Sequence, residues 1–145
     1  MTVLHEVQIA NAQTRHWYIT VIRPVLEYCA IIWHHGLSKY QTESIEAIQR
    51  RAVRVVHPIT ASRPMPYWAA LHYAGLPSIS DRRDKLCRDF FKKMRDPSSC
   101  IRHLLPPARN PDLTSRLRRA SIYPRPRNRT NCYKSFIHHA LLKFQ

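Results

Sequence analysis

Glycine is almost missing: Gly36 and Gly75 are the two glycines among 145 residues, and each follows an apolar helical pattern. A residue able to take positive φ closes helices well, so this scarcity favours helices over tight β-turns and argues against a glycine-rich phosphate loop. Acid is also scarce, with 9 Asp and Glu against 24 Lys and Arg. Cys29, Cys87, Cys100 and Cys132 are scattered without a CxxC pair, which points to neither a disulfide framework nor a zinc finger. Reduced thiols in an intracellular protein, nuclear or cytoplasmic, fit that pattern. The best apolar run, Val25 to Trp33, is short and carries Glu27, and no basic start precedes a long apolar stretch. Neither secretion nor membrane spanning is expected.

What is present is positive charge on an ordinary core. The formal net charge is +15, the pI is about 10.5, and 44% of residues are hydrophobic. That is enough apolar material for one domain with a tail. A surface this basic attracts phosphate backbones through a field that salt screens, so nucleic acid is the leading partner class. A merely basic or ribosome-associated protein is the plainer alternative.

Residues 1–12 show no strong pattern and are left unassigned. From Gln13 to His35 two readings compete. The β-branched run Ile19-Thr20-Val21-Ile22 suits a strand, while Tyr18, Val21, Ile22, Val25, Cys29 and Ile32 recur at helical spacing. Pro24 would remove the bond to the Thr20 carbonyl and kink a helix. Ser38, with Gln41 three residues on, forms a capping box for a helix running to about Val56 and stopped by Pro58. Ile45, Ile48, Ala52 and Val55 share its apolar face, expected to pack on the first helix. Arg50, Arg54 and His57 project opposite, and Arg51 flanks the seam.

A third helix is expected from about Pro66 to Ala74, closed by Gly75, with Trp68 and Leu71 inward. A fourth begins near Ser78 or Ser80 and stops before Pro97. It carries Ile79, Leu86, Phe90 and Met94 on one side and Arg88, Lys92 and Arg95 on the other. Composition then shifts. Between Pro106 and Asn131 prolines and arginines crowd around a single aromatic, Tyr123, so little apolar surface can be buried and an extended segment is expected. No acid follows Asp112. Tyr133, Phe136, Ile137, Ala140, Leu141 and Phe144 restore helical spacing in a terminal helix that docks back or meets a partner.

Catalytic chemistry is hard to place on this chain. Asp81, Asp84 and Asp89 form the one acid cluster, but Lys85, Arg88 and Lys93 follow each at i,i+4, which reads as a solvated ion-pair face rather than a two-metal site. Cys100, His103, Cys132 and His138 lack a zinc-loop spacing, and His34-His35 and His138-His139 are adjacent pairs that chelate poorly. No nucleophile elbow occurs. No cofactor is expected. Tyr28, Trp33, Tyr67 and Trp68 could stack bases but sit inside apolar patterns and are read as core. The positive signal is arginine, whose fork matches phosphate oxygens. Arg50 could still be neutralised by Glu46, one turn earlier.

Tyr18 to Trp33, reading YITVIRPVLEYCAIIW, followed by Ile45-Glu46-Ala47-Ile48-Gln49-Arg50-Arg51-Ala52, resembles the region after the palm in non-LTR, LINE-type retrotransposon reverse transcriptases. Leu76-Pro77-Ser78-Ile79-Ser80-Asp81-Arg82-Arg83 and Tyr133-Lys134-Ser135-Phe136-Ile137 look like later landmarks of the same reading frame, so the likeness covers most of the chain from Tyr18. It tips the first segment toward a kinked helix. Spacing and composition together give an all-α small helical bundle over 13–105, a basic Pro/Arg-rich linker over 106–131 and a terminal helix over 132–145; the likeness makes the first two helices thumb-like and the remainder a carboxy-terminal extension. By the same likeness the palm's paired aspartates, the fingers and the endonuclease lie outside this sequence. The expectation is therefore a fragment that is not an enzyme by itself and grips RNA, DNA or their hybrid. Its expected contacts are Arg50, Arg51, Arg54, Arg88, Lys92, Arg116, Arg118, Arg119, Arg125, Arg127 and Arg129. The alternative is a structural module that packs on the missing palm without binding nucleic acid.

Overall fold

The computed structural model describes residues 12–57, 65–116, 118, 121–124 and 135–144, and every regular element among them is helical. The all-α expectation holds. Contacts divide the chain into two compact units, one of Met1–Cys29 and Leu37–Arg83, the other of Ala30–Gly36 and Asp84–Gln145.

In the first unit, helical residues 12–17 enter a π-helical turn at Tyr18–Ile22, followed by α1, Arg23–Glu27. Pro24 has no N–H to give to the Thr20 carbonyl. The chain responds by widening the turn before it, and the Arg23 N–H reaches back to the Tyr18 carbonyl. The expected kink is thus a π-turn, and a sharper break follows it. Tyr28 turns extended and Cys29 takes φ 49, a left-handed value uncommon outside glycine. The first helix is interrupted there, and α2, Ala30–Trp33, continues into a 3-10 turn at His34–Gly36 within the other unit. Of the stripe expected to face inward, Tyr18 is buried and Ile22 packs on the core, while Val21, Val25, Cys29 and Ile32 are exposed.

Helix α3, Lys39–Val56, opens on the capping box read from the sequence: the Gln41 N–H donates to Ser38 Oγ at 3.2 Å and the Ser38 N–H to Gln41 Oε1 at 2.9 Å. Its buried face is not the expected one. Glu46, Gln49, Val53 and Val56 point inward, whereas Ile48 and Val55 are exposed and Ile45 and Ala52 half-buried. At 3.6 residues per turn the helix is rotated by about 100° from the position hydropathy assigns. The cause is that its two polar inward residues have full partners. Gln49 accepts from the Tyr18 hydroxyl at 2.9 Å and donates to the Pro77 carbonyl at 2.8 Å. Glu46 accepts from the Tyr67 hydroxyl and from the Ser80 N–H, each at 2.7 Å. Polar groups satisfied in this way are tolerated inside.

Helix α4, Tyr67–Ala74, begins after Pro66 and ends at Gly75, whose φ of 61 completes the expected C-cap. Ala70, Leu71 and Ala74 form its buried side, so Leu71 is inward as expected but Trp68, on the far side, is 74% exposed. Tyr18, Val53, Val56, Leu71 and Leu76 make the heart of this core.

Helix α5, Ile79–Met94, starts where Ser78 Oγ accepts from the Asp81 N–H at 3.0 Å. Ile79, Arg83, Cys87 and Phe91 form its buried line at i,i+4 steps, with Met94 beyond; Leu86 and Phe90, expected to lead that face, are half-buried beside it. The second unit gathers Phe91, Met94, Leu105, Tyr123, Ala140 and Leu141 into one core. A short α6, Pro111–Ser115, precedes the basic tail, and α7, Phe136–Lys143, is capped by Ser135. The tail was expected to bury little, yet Tyr123 is 7% exposed, and the Arg109 N–H holds the Ile122 carbonyl at 2.8 Å. The Tyr123 ring thus anchors the described residues 121–124 to this core.

Three imidazoles meet in this unit. The His139 ring lies 5.8 Å from His35 and 6.4 Å from His34, and edge-on to Phe144 at 5.6 Å. Burial holds the His139 pKa below its ordinary value, helped by Lys143, His35 and His34, with Asp84 opposing. The unfolded chain therefore binds this proton first, and stability contributed by neutral His139 is lost as pH falls below about 6.5. Amide protection factors in α7 should drop on moving from neutral to mildly acidic buffer, and His139→Phe should flatten that response. Equal pH dependence in the variant would assign the effect elsewhere.

Candidate nucleic-acid interface

Because Gln49 and Val53 point into the core, the helical repeat places Arg50, Arg54 and Arg51 within about 100° of the α3 circumference on its outer side. All three are exposed. The carboxylate that could have neutralised Arg50 is taken up by Tyr67 and Ser80, and the Arg50 guanidinium instead lies 4.8 Å from the centroid of the Tyr67 ring. Burial pushes the Tyr67 phenol well above its usual pKa, with the Glu46 hydrogen bond next, so the ring stays neutral beneath the cation. Burial likewise lifts Tyr18 to about 12. The arrangement is a ridge of three guanidinium groups on a fixed helix, with Arg50 further held by an aromatic shelf.

The other expected contacts divide. Arg88 is exposed but paired, at 3.3 Å, with Asp84, and its guanidinium lies 5.5 Å from the Phe144 ring centroid. Asp84 also meets His34 Nε2 at 3.6 Å and the Lys143 ammonium. Burial alone would raise the Asp84 pKa, but Lys143 and His34 together hold it below the usual carboxylate range. Asp84 thus serves as a charge partner, as the i,i+4 reading expected, while Asp81 accepts from the Ser78 hydroxyl at 2.7 Å. Lys92, Arg116 and Arg118 are exposed; Arg119, Arg125, Arg127 and Arg129 lie outside the described residues. Arg82 and Arg23 are held by Glu27, Arg82 Nη2 at 2.9 Å and Arg23 at 3.7 Å.

Among the described residues no group of three or more His, Cys, Asp and Glu is placed to hold a metal, and Cys132 of the considered zinc set lies outside them. His103 Nδ1 sits 2.8 Å from the Cys100 carbonyl and His138 Nδ1 beside the Ser135 hydroxyl, so both rings are engaged locally.

The aromatics read as core are not enclosed: Tyr28 and Trp68 are exposed, Trp33 and Tyr67 half-buried. The feature the sequence reading missed lies beside the arginine ridge. Trp17, Ile48, Arg51, Ala52 and Val55 line an open, mainly apolar groove of about 250 Å³. It is formed by the stripe of α3 that hydropathy had assigned to the core. Its signal was available in Trp17, one residue ahead of the stripe chosen for the first helix. No family model matches the chain, and neither a curated protein nor a solved structure matches it.

Proposed function

We propose that this chain is a non-catalytic, thumb-and-tail portion of a retrotransposon-type reverse transcriptase and grips the phosphate backbone of RNA, DNA or their hybrid. The observation that carries this reading is the exposed Arg50–Arg51–Arg54 ridge, beside a Glu46 carboxylate engaged by Tyr67 and Ser80. The net charge of +15 and the likeness of the Tyr18–Trp33 and Ile45–Ala52 segments to the post-palm region support it. Guanidinium forks on a rigid helix set the height at which a backbone rests and read no base edges. Arg88, with its charge shared by Asp84, contributes less than the ridge, while Lys92 and the arginines from Arg116 onward add diffuse attraction.

Titrating a labelled RNA–DNA hybrid at two salt concentrations tests this. Three phosphate contacts give a log–log slope near −3, so affinity should fall roughly 40-fold between about 50 and 200 mM salt, with little dependence on sequence. Binding indifferent to salt, or none at low salt, would overturn the reading. A second reading, a helical module that packs on a polymerase palm and does not itself bind nucleic acid, is favoured by Val21 and Val25, one turn apart and both exposed. It predicts the absence of binding in that titration.

A further inference from the structure

We propose that the groove between helical residues 14–22 and α3 receives an unpaired nucleobase, stacked against Trp17, while Arg51 holds the adjoining phosphate. The ligand class is single-stranded nucleic acid. This rests on the phosphate-grip reading and narrows it from any polyanion to one with bases free to leave the stack.

Four observations converge. The Trp17 indole lies on the groove wall and is 56% exposed, which leaves part of its flat face open to a ligand. Arg51 lines the same groove as Trp17 and belongs to the ridge with Arg50 and Arg54, so a phosphate-binding side chain and the indole share one groove. Ile48 and Val55, 47% and 65% exposed, supply the apolar walls. Finally, the groove is open and mainly apolar, and its volume of about 250 Å³ leaves room for a ring system.

Charge decides between the possible occupants. An amphipathic protein helix would also cover Ile48 and Val55, but an aromatic wall next to an arginine ridge matches the combination by which single strands are bound. Each base presents a π-face and each linkage a phosphate. The lining offers few hydrogen-bonding groups beyond Arg51 and Thr14, so base identity is read weakly. Binding should therefore be strong for unpaired strands and tolerant of sequence. In a duplex the bases are already stacked on each other and the groove stays empty.

The test uses the whole chain, a fluorescein-labelled oligothymidylate of about 20 nucleotides, and a blunt mixed-sequence duplex of the same length at low salt, followed by anisotropy and by tryptophan emission. The single strand should bind about tenfold more tightly than the duplex and quench the indole. Trp17→Leu, at a half-exposed position, should remove that preference and leave duplex affinity unchanged; Trp17→Phe should restore part of it. If neither probe binds, the phosphate-grip reading fails and this one with it. Should both bind equally, with Trp17→Leu inert, the ridge stands and the base site does not. Equal weakening of both probes by Trp17→Leu would make the indole a scaffold and overturn the site. The base site is also overturned if a leucine- and glutamate-rich amphipathic peptide occupies the groove with no preference between the nucleic acids.

Discussion

Replacing Arg50, Arg51 and Arg54 together by alanine should weaken binding to a mixed-sequence duplex by one to two orders of magnitude at low salt. It should also flatten the log–log salt dependence by about 2 to 3, roughly one for each phosphate that is no longer neutralised. The three side chains lie on the outer arc of α3, and alanine is the best helix former, so helicity should be retained or slightly improved. The individual contributions should differ. Arg50 is held over the Tyr67 ring and gives up less freedom when it meets a phosphate than a free arginine would. Circular dichroism checks the fold and anisotropy the affinity. An unchanged salt slope with intact helicity would move the interface to Lys92 and the later arginines.

The largest effect on stability is expected at Gln49, where a leucine of similar size should cost about 1–3 kcal/mol, because it strands the buried Tyr18 hydroxyl. The Tyr18 hydroxyl loses its acceptor beside a fully buried position 49, and the part-buried Pro77 carbonyl loses its donor. Chemical denaturation of Gln49→Leu should show a clear fall in midpoint. Adding Tyr18→Phe to that variant should do little further harm, since the stranded hydroxyl is then gone, and the pair should be strongly non-additive. A loss below about 0.5 kcal/mol for Gln49→Leu would mean that water replaces the amide, and that the hydrogen bonds do not hold α3 in its rotation.

That rotation separates what could be read in the sequence from what could not. Local chemistry was readable: Ser38 and Gln41 form their capping box, Gly75 closes α4 in the left-handed region, and α5 opens after Ser78. Each depends on residues a few positions apart. The facing of α3 depends on Tyr18, Pro77, Tyr67 and Ser80, up to 34 positions away. Hydropathy ranks Glu46 and Gln49 as surface residues, and it would have to know their partners to place them inside. The candidate site inherits both halves of this. That Arg50 and Arg54 face outward on α3 was legible from spacing. Trp17 and the groove were hidden, because Ile48 and Val55 form the clearest apolar stripe in the helix and so were assigned to the core. Arg83, with no exposure at all, was read as part of a family landmark; it shares a buried i,i+4 line with Ile79 and Cys87 that differs from the face expected from hydropathy.

The widened turn at Tyr18–Ile22 sets the phase of residues 12–17 ahead of it. Such a turn takes up more residues per revolution than the regular spiral, so the residues ahead of it are offset around the axis from where an uninterrupted α-helix would carry them. That offset lets Tyr18 reach Gln49 while its neighbour Trp17 looks outward along α3. A proline six positions from the hydroxyl thereby governs which of two consecutive aromatic rings faces inward and which is left for a visitor.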